Sequence, residues 1–266
     1  MGNIHSVTKA LESLEQEIIL IKNKDQTKDC KAVILPGVGS FDPAINTLIN
    51  TDLISDIKVW IKSGKSFLGI CLGLQLLFES SDEGSTNGLG IVKGHIKKIP
   101  ELSDQRTPHV GWCELIPTST NSLLKEDELN NWVYFVHSYH AVPSNTNLVT
   151  ANVSYGSEKL TAMIERDNLL ACQFHPEKSG KTGEKLLRRW VKNLQLFDLC
   201  HMKTNLRLIG GRKLESPRNI DTRPTTLMVR EAIFNILKNT VENSNWLDLF
   251  SGTGACLLYT SDAADE

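Results

Sequence analysis

Phe67-Leu68-Gly69-Ile70-Cys71-Leu72-Gly73-Leu74-Gln75-Leu76-Leu77-Phe78 is the stretch on which the fold turns. Four mostly apolar residues form a short buried strand that runs into Cys71, and Leu72, Leu76 and Leu77 then repeat with helical period. The cysteine therefore sits at a strand-to-helix turn. Gly69 and Gly73, two residues to either side, remove the Cβ atoms that would block so tight a turn, which is the mechanical logic of a nucleophile elbow. Unpaired N–H groups and the positive end of the following helix favour a thiolate at such a place. A lone cysteine in apolar surroundings is a packing residue; the flanking glycines and the partners found downstream point instead to chemistry.

Upstream, Ile4, Val7, Leu11 and Leu14 repeat as one face of a helix with Asn3 as its cap. An apolar strand is expected at Ile18-Ile19-Leu20-Ile21 and another at Ala32-Val33-Ile34-Leu35. The latter runs into Pro36-Gly37-Val38-Gly39-Ser40-Phe41, and helical segments fill Asp42 to Lys62. Strands alternating with helices predict an α/β fold, an open and mostly parallel sheet with helices on both faces and its chemistry at the carboxyl ends of the strands. After Gly84 the texture changes to β-branched, alternating runs at Gly90 to Ile99, Val110 to Ile116, Val133 to His137 and Leu148 to Val153, an antiparallel section with turns such as Pro143-Ser144-Asn145. A hairpin around Arg166-Asp167-Asn168 joins Ala162 to Glu165 with Leu169 to Phe174. An amphipathic helix bearing Leu186, Leu187, Trp190, Val191 and Leu194 closes the unit near Gln195.

The 266 residues are 40% hydrophobic and 23% charged with a net charge of -2, so no global pull toward nucleic acid exists. Six cysteines form no C-x-x-C pair and no apolar leader or membrane-length run occurs. The expectation is a cytoplasmic chain with reduced thiols, no metal and no cofactor.

A thiolate nucleophile needs a proton shuttle, and a histidine oriented by a carboxylate supplies one. In His175-Pro176-Glu177, proline pushes His175 into an extended conformation that sets Glu177 on the same side, so a Cys71-His175-Glu177 triad is expected. Acyl transfer also needs oxyanion donors. Gly37, Val38 and Gly39 end the neighbouring strand in a turn whose peptide can rotate, and the Leu72 N–H is the second donor.

Pro36-Gly37-Val38-Gly39-Ser40-Phe41, Gly69-Ile70-Cys71-Leu72-Gly73-Leu74-Gln75, His109-Val110-Gly111-Trp112, His137-Ser138-Tyr139 and His175-Pro176-Glu177-Lys178-Ser179 together resemble the glutaminase subunit of imidazole glycerol phosphate synthase, a class I triad-type glutamine amidotransferase, over about residues 1–195. The resemblance implies that glutamine is hydrolysed to glutamate and ammonia by Cys71, His175 and Glu177. It also implies that Gln75 and Glu83 hold the amino-acid end of glutamine with Gly39, Ser138 and Tyr139 around it. The partner so implied is a (β/α)8-barrel cyclase, met by Asn3, Trp112 and Lys178. Ammonia passes to it directly and yields imidazole glycerol phosphate and an aminoimidazole carboxamide ribotide in histidine biosynthesis. Taken alone, Glu83 beside Gly84 reads equally as a solvated acid and Trp112 equally as a core residue. Members of that family carry a strand ahead of the Met1-Gly2-Asn3 segment, and a sheet without it has an exposed edge.

Past a junction at 196–204 the composition shifts. Lys203, Arg207, Arg212, Lys213, Arg218, Arg223 and Arg230 face only Glu215 and Asp221 as acids up to Arg230. Leu208-Ile209-Gly210-Gly211-Arg212-Lys213-Leu214, Arg223-Pro224-Thr225-Thr226, Arg230-Glu231 and Leu247-Asp248-Leu249-Phe250-Ser251-Gly252-Thr253-Gly254 resemble the start of a small-subunit rRNA guanine-N2 methyltransferase. Asp248, Gly252 and Gly254 would form its first S-adenosylmethionine loop. The expected helix at Thr226 to Lys238 and strand at Trp246 to Phe250 make residues 205–255 an incomplete fragment, followed by an unassigned tail at 256–266. Nucleic-acid binding is expected only of a complete domain. Two alternatives stay open: an RNA methyltransferase fragment joined to a non-functional glutaminase, and a class I glutaminase serving another synthase.

Overall fold

The computed structural model describes residues 2–214 apart from 22–23, 28–29, 104, 119–122, 125–130, 202–205 and 208–212. The chain divides into a unit of Met1–Gln195 and one of Leu196–Glu266.

In the first unit the parallel pairing that the strand–helix alternation predicts is found in three strands, β1 (Ala32–Gly37), β2 (Ser66–Cys71) and β10 (Leu169–Cys172), with β2 central. The sheet continues antiparallel through β9 (Glu158–Arg166), β8 (Val149–Tyr155), β5 (His109–Pro117) and β6 (Trp132–His137), giving the order β1-β2-β10-β9-β8-β5-β6. A smaller sheet orders β3 (Ser80–Ser81), β4 (Gly94–Lys98) and β7 (Tyr139–Pro143).

Every residue of β2 is buried, as a strand covered on both faces must be. Period-two alternation divides the core: Leu169 and Ala171 pack with Phe41, Ile45 and Leu48 of α2 (Phe41–Asn50) and Ile57, Trp60 and Ile61 of α3 (Leu53–Lys62). Leu170 and Cys172 pack on the other face with Val7, Leu11 and Leu14 of the α1 segment (helix Gly2–Glu12) and with Leu186, Leu187, Trp190, Val191 and Leu194 of α5 (Gly180–His201). Asn3 lies one residue inside α1 rather than capping it.

Three further expectations are corrected. Ile18-Ile19-Leu20-Ile21 is irregular chain and not a strand. Ile18 and Ile21 pack on the core from it while Ile19 and Leu20 stand 48% and 57% exposed, and β1 remains the edge of the large sheet. The helix after Cys71 is a single turn, α4 (Leu72–Gln75). Leu77 and Phe78 switch to bonds with the third residue back, and the carbonyls of Leu76, Leu77 and Phe78 accept N–H groups of Leu89, Ile91, Val92 and Gly90. That run is buried on all sides, so its leucines are core and not one face of an amphipathic helix. Finally, His175 and Glu177 do not meet along an extended strand, because Pro176–Lys178 forms one 3-10 turn held by Lys178 N–H to His175 O at 3.0 Å.

Of the second unit, the described part beyond α5 is one antiparallel pair, β11 (Leu206–Arg207) with β12 (Lys213–Leu214). The expected helix at Thr226 to Lys238, the strand at Trp246 to Phe250, and Asp248, Gly252 and Gly254 lie outside the described residues.

A Cβ on Gly73 would stand 1.7 Å from the carbonyl oxygen of Leu35, whereas one on Gly39 would meet nothing within 4 Å. Gly73→Ala is therefore expected to cost roughly 3 kcal/mol or more as the elbow is forced off β1, and Gly39→Ala only the penalty of its positive φ, about 1–2 kcal/mol. Urea unfolding midpoints compare them; equal losses would contradict the packing described.

Candidate active site

Cys71 occupies φ 54, ψ -109, a region strained for a side-chain-bearing residue and sustained only where the surroundings over-determine it. They do so here. Gly37 pairs with Cys71 in the β1/β2 register, and a Cβ on Gly69 would lie 2.9 Å from the Gly73 carbonyl oxygen. The turn thus closes only because residues 69 and 73 lack side chains. The one-turn α4 is too short to lend the sulfur a helix macrodipole, so any charge stabilisation must come from side chains and local N–H groups.

His175 is brought to the sulfur by the end of β10. Its backbone N–H donates to Tyr134 O at 3.0 Å, and Ser179 Oγ donates to His175 O at 2.6 Å while accepting from Tyr134 N at 3.0 Å. The His175-Pro176-Glu177-Lys178-Ser179 loop is thereby stitched to β6. His175 Nδ1 lies 2.8 Å from Glu177 Oε1, and both side chains are fully buried. With Nδ1 committed to the carboxylate, Nε2 is the free end, buried without a hydrogen bond of ordinary geometry. Burial disfavours the imidazolium, yet the Cys71 sulfur and the Glu177 carboxylate outweigh it and raise the His175 pKa to about 9. Cys172, also near the elbow, is wholly buried, which pushes its thiol well above the ordinary range and leaves it protonated.

A cavity of about 260 Å3 opens over this group, lined by Val38, Gly39, Cys71, Leu72, Gln75, Glu83, Pro108, Val136, His137, Ser138, Tyr139 and His175. Of the expected site residues, Gly37 stands just behind Leu72, and Glu177 behind His175. Glu83 accepts from Phe41 N at 2.9 Å across the first turn of α2. Its pKa is raised, chiefly by burial, against the lowering effect of that N–H. It is therefore no freely solvated loop acid. Gln75 is buried, its amide donating to Tyr139 O and to Gln173 Oε1, each at 3.1 Å.

The three expected interface residues lie outside this cavity. Trp112, on β5, is 50% exposed and belongs to a row of apolar side chains, with Val110 beside it and Trp132 and Val136 on the paired β6; it is not core. Lys178 is exposed in the turn after His175, and α1, which carries Asn3, packs on that turn.

Residues that sequence reasoning did not single out as site members are Val136, His137, Gln173 and Pro108. His137 donates from Nδ1 to Tyr139 O at 2.8 Å, so its Nε2 accepts from His109 Nδ1 at 3.1 Å; His109 Nε2 in turn faces Cys113 Sγ at 3.2 Å. Burial pushes His137 down to about 3, with the Tyr139 carbonyl opposing it and neighbouring histidines adding to it. The available signal was a polar Gln173 inside the apolar run Leu169 to Phe174, two residues before His175 and hence on its side of the strand.

A strained cysteine, a buried His–Glu pair and a carboxylate-bearing cavity at the ends of parallel strands suit a glutamine amidotransferase of class I. The chain belongs to that family: the model described as Glutamine amidotransferase class-I matches residues 1–194. Its similarity is narrower still. Over 195 residues, 73% of the chain, it is 87% identical to imidazole glycerol phosphate synthase subunit HisH of Prochlorococcus marinus subsp. pastoris, covering 95% of that protein, and 75% identical to the HisH protein of strain MIT 9312, again covering 95%. The function that goes with these relatives, glutamine hydrolysis by the glutaminase subunit of imidazole glycerol phosphate synthase in histidine biosynthesis, is the function of residues 1–195. Solved structures of PurLQS from Thermotoga maritima (18% identity, TM-score 0.55, covering 71% of this chain and 92% of that one) and of a glutamine amidotransferase (19%, 0.53, 71% and 92%) share the fold. Residues 206–259 match the model described as Conserved hypothetical protein 95, over the stretch likened above to a methyltransferase start.

His137 yields a pH prediction. Below its ordinary value of 6.5 the unfolded chain takes up a proton that the native chain refuses until about pH 3, so stability falls as pH drops through that window. This group alone should remove about 1.4 kcal/mol per pH unit, roughly 2 kcal/mol between pH 6.5 and pH 5. Urea unfolding of His137→Gln, which keeps an amide donor for Tyr139 O, should be correspondingly flatter over that range; an unchanged pH slope would contradict a neutral His137.

Proposed function

We propose that Cys71 is the nucleophile, His175 its proton shuttle and Glu177 the residue that orients the imidazole. The supporting observation is the buried 2.8 Å His175–Glu177 pair, which leaves Nε2 free beside the sulfur. The thiolate attacks the side-chain amide carbon of glutamine, forming a C–S bond and an oxyanion. That charge is received by N–H groups of the Gly37-Val38-Gly39 turn and of Leu72. Collapse breaks the C–N bond while His175 protonates the departing nitrogen, releasing ammonia and leaving a glutamyl thioester. Water, deprotonated by His175, then cleaves the thioester to glutamate and the thiolate. Glu83, Gln75, Ser138 and Tyr139 surround the amino-acid end of the substrate, the Glu83 carboxylate suiting its ammonium group.

Ammonia set free in water would be lost, so a cytoplasmic heterodimer with the (β/α)8 cyclase subunit completes the reading. Ammonia then passes through a shielded channel, and the cyclase carries out the lyase half of the reaction, yielding imidazole glycerol phosphate and aminoimidazole carboxamide ribotide. The docking face is the apolar row on β5 and β6 with Trp112, continued by Lys178 and the α1 end bearing Asn3. A row of this size, with Trp112, Val110, Trp132 and Val136 between 37% and 55% exposed, is what a partner surface requires. The turn at Gly39, whose φ is +108, is the place where a peptide would rotate to complete the oxyanion hole once the partner is bound, so the isolated chain should hydrolyse glutamine poorly and the liganded cyclase should raise the rate by orders of magnitude.

Glutaminase assays with cyclase present test the roles. Cys71→Ser should abolish hydrolysis while cyclase affinity stays within about twofold, and Trp112→Ala should weaken that affinity by about tenfold or more; hydrolysis surviving in Cys71→Ser would overturn the triad. A chain ending at Gln195, the boundary of the first unit, should keep full cyclase-stimulated activity. Loss of activity on that truncation would assign residues 196–266 a part in the function.

A further inference from the structure

Three polar side chains next to the proposed nucleophile, His137, Gln75 and Gln173, form a hydrogen-bonded chain whose direction is fixed at every link. It is anchored at the carbonyl oxygen of Tyr139, which can only accept and does so from His137 Nδ1 at 2.8 Å and from Gln75 Nε2 at 3.1 Å. That contact settles which end of the Gln75 amide is nitrogen. The same nitrogen donates to Gln173 Oε1 at 3.1 Å, so Gln173 must turn its own nitrogen the other way. There Nε2 lies 3.7 Å from Cys71 Sγ. Gln173 is completely buried, and its backbone N–H is bonded to Ala162 O at 2.8 Å, so the side chain leaves a fixed point.

An amide nitrogen can donate and cannot accept. A donor aimed at sulfur favours the thiolate over the thiol, because hydrogen bonds to a charged acceptor are stronger than those to a neutral one. The competing contact, Cys71 Sγ donating to Val136 O, is longer at 3.9 Å and is available only to the thiol. We propose that Gln173 is a positioning residue that holds and stabilises the Cys71 thiolate, and that Gln75 acts behind it by locking the Gln173 amide with its nitrogen toward the sulfur. The proposal rests on Cys71 being the nucleophile.

The test is site-resolved alkylation of Cys71 by iodoacetamide in the full chain, followed by peptide mass spectrometry from about pH 5 to about pH 10, with glutaminase kinetics measured beside it in the presence of cyclase. Gln173→Met, of similar length but without a donor, should move the half-maximal pH of alkylation upward by about one unit and lower kcat about tenfold, with KM within about twofold. Gln173→Glu, which sets an acidic group against the sulfur, should move it at least as far. Gln75→Met should shift it in the same direction by less. A Gln173→Met profile that superimposes on the wild type, or a change confined to KM, would overturn the proposal. Should Gln173→Met be too unstable to purify, Gln75→Met decides in the same way, an upward shift supporting the proposal and a coincident profile overturning it. Cys71→Ser separates the two readings. Hydrolysis retained in that variant would remove the nucleophile assignment itself, whereas hydrolysis lost there with an unshifted Gln173→Met profile would remove only the role of Gln173.

Discussion

The approach of Gly73 to the Leu35 carbonyl is the constraint on which the site depends. No side chain fits between α4 and β1, so the turn after β2 can press against its neighbour strand and force Cys71 to a positive φ. The cysteine thus stands at the carboxyl ends of the parallel strands β1, β2 and β10. The same closeness puts the Gly37-Val38-Gly39 turn beside Leu72. Backbone packing thus brings Cys71 and the Gly37-Val38-Gly39 turn together in one layer, whose two faces are covered by α1 and α5 on one side and α2 and α3 on the other.

Around this frame the buried polar groups divide by charge. His175 is held in its protonatable state by the sulfur and by Glu177 despite burial. His137, also buried but bonded to a carbonyl and to His109, is held neutral, chiefly by that burial. Two buried histidines of the same cavity therefore have opposite preferences, set by what faces them and not by burial alone. A neutral His137 donates to Tyr139 O without bringing a second positive charge next to His175.

Much of this was legible in the residues. Gly69 and Gly73 around Cys71, and the pairing of His175 with Glu177, are local patterns, although the pair meets through a 3-10 turn and not along an extended strand. The α5 stripe at Leu186, Leu187, Trp190, Val191 and Leu194 is found where its period places it. The larger failures had non-local reasons. Ile18 to Ile21 reads as a strand by composition, but a strand exists only where a neighbour offers a ladder. Leu72, Leu76 and Leu77 fit a helical period, but the loop at Leu89 to Val92 claims the carbonyls that a longer helix would use. Gln173 and His137 belong to the site through contacts across 98 and 28 residues of sequence respectively, with Gln75 and His109. No local pattern carries such pairings; only the exception of a buried polar residue in an apolar run marks them.

The central claim is covalent: the side chain of glutamine passes through Cys71. Acid-quenched turnover of isotopically labelled glutamine by the full chain with its cyclase, followed by peptide mapping, tests it directly. A labelled glutamyl thioester is predicted on the peptide that carries Cys71, accumulating before steady state and absent from Cys71→Ser. Label on another cysteine peptide, or steady turnover with no covalent intermediate at any quench time, would contradict the account.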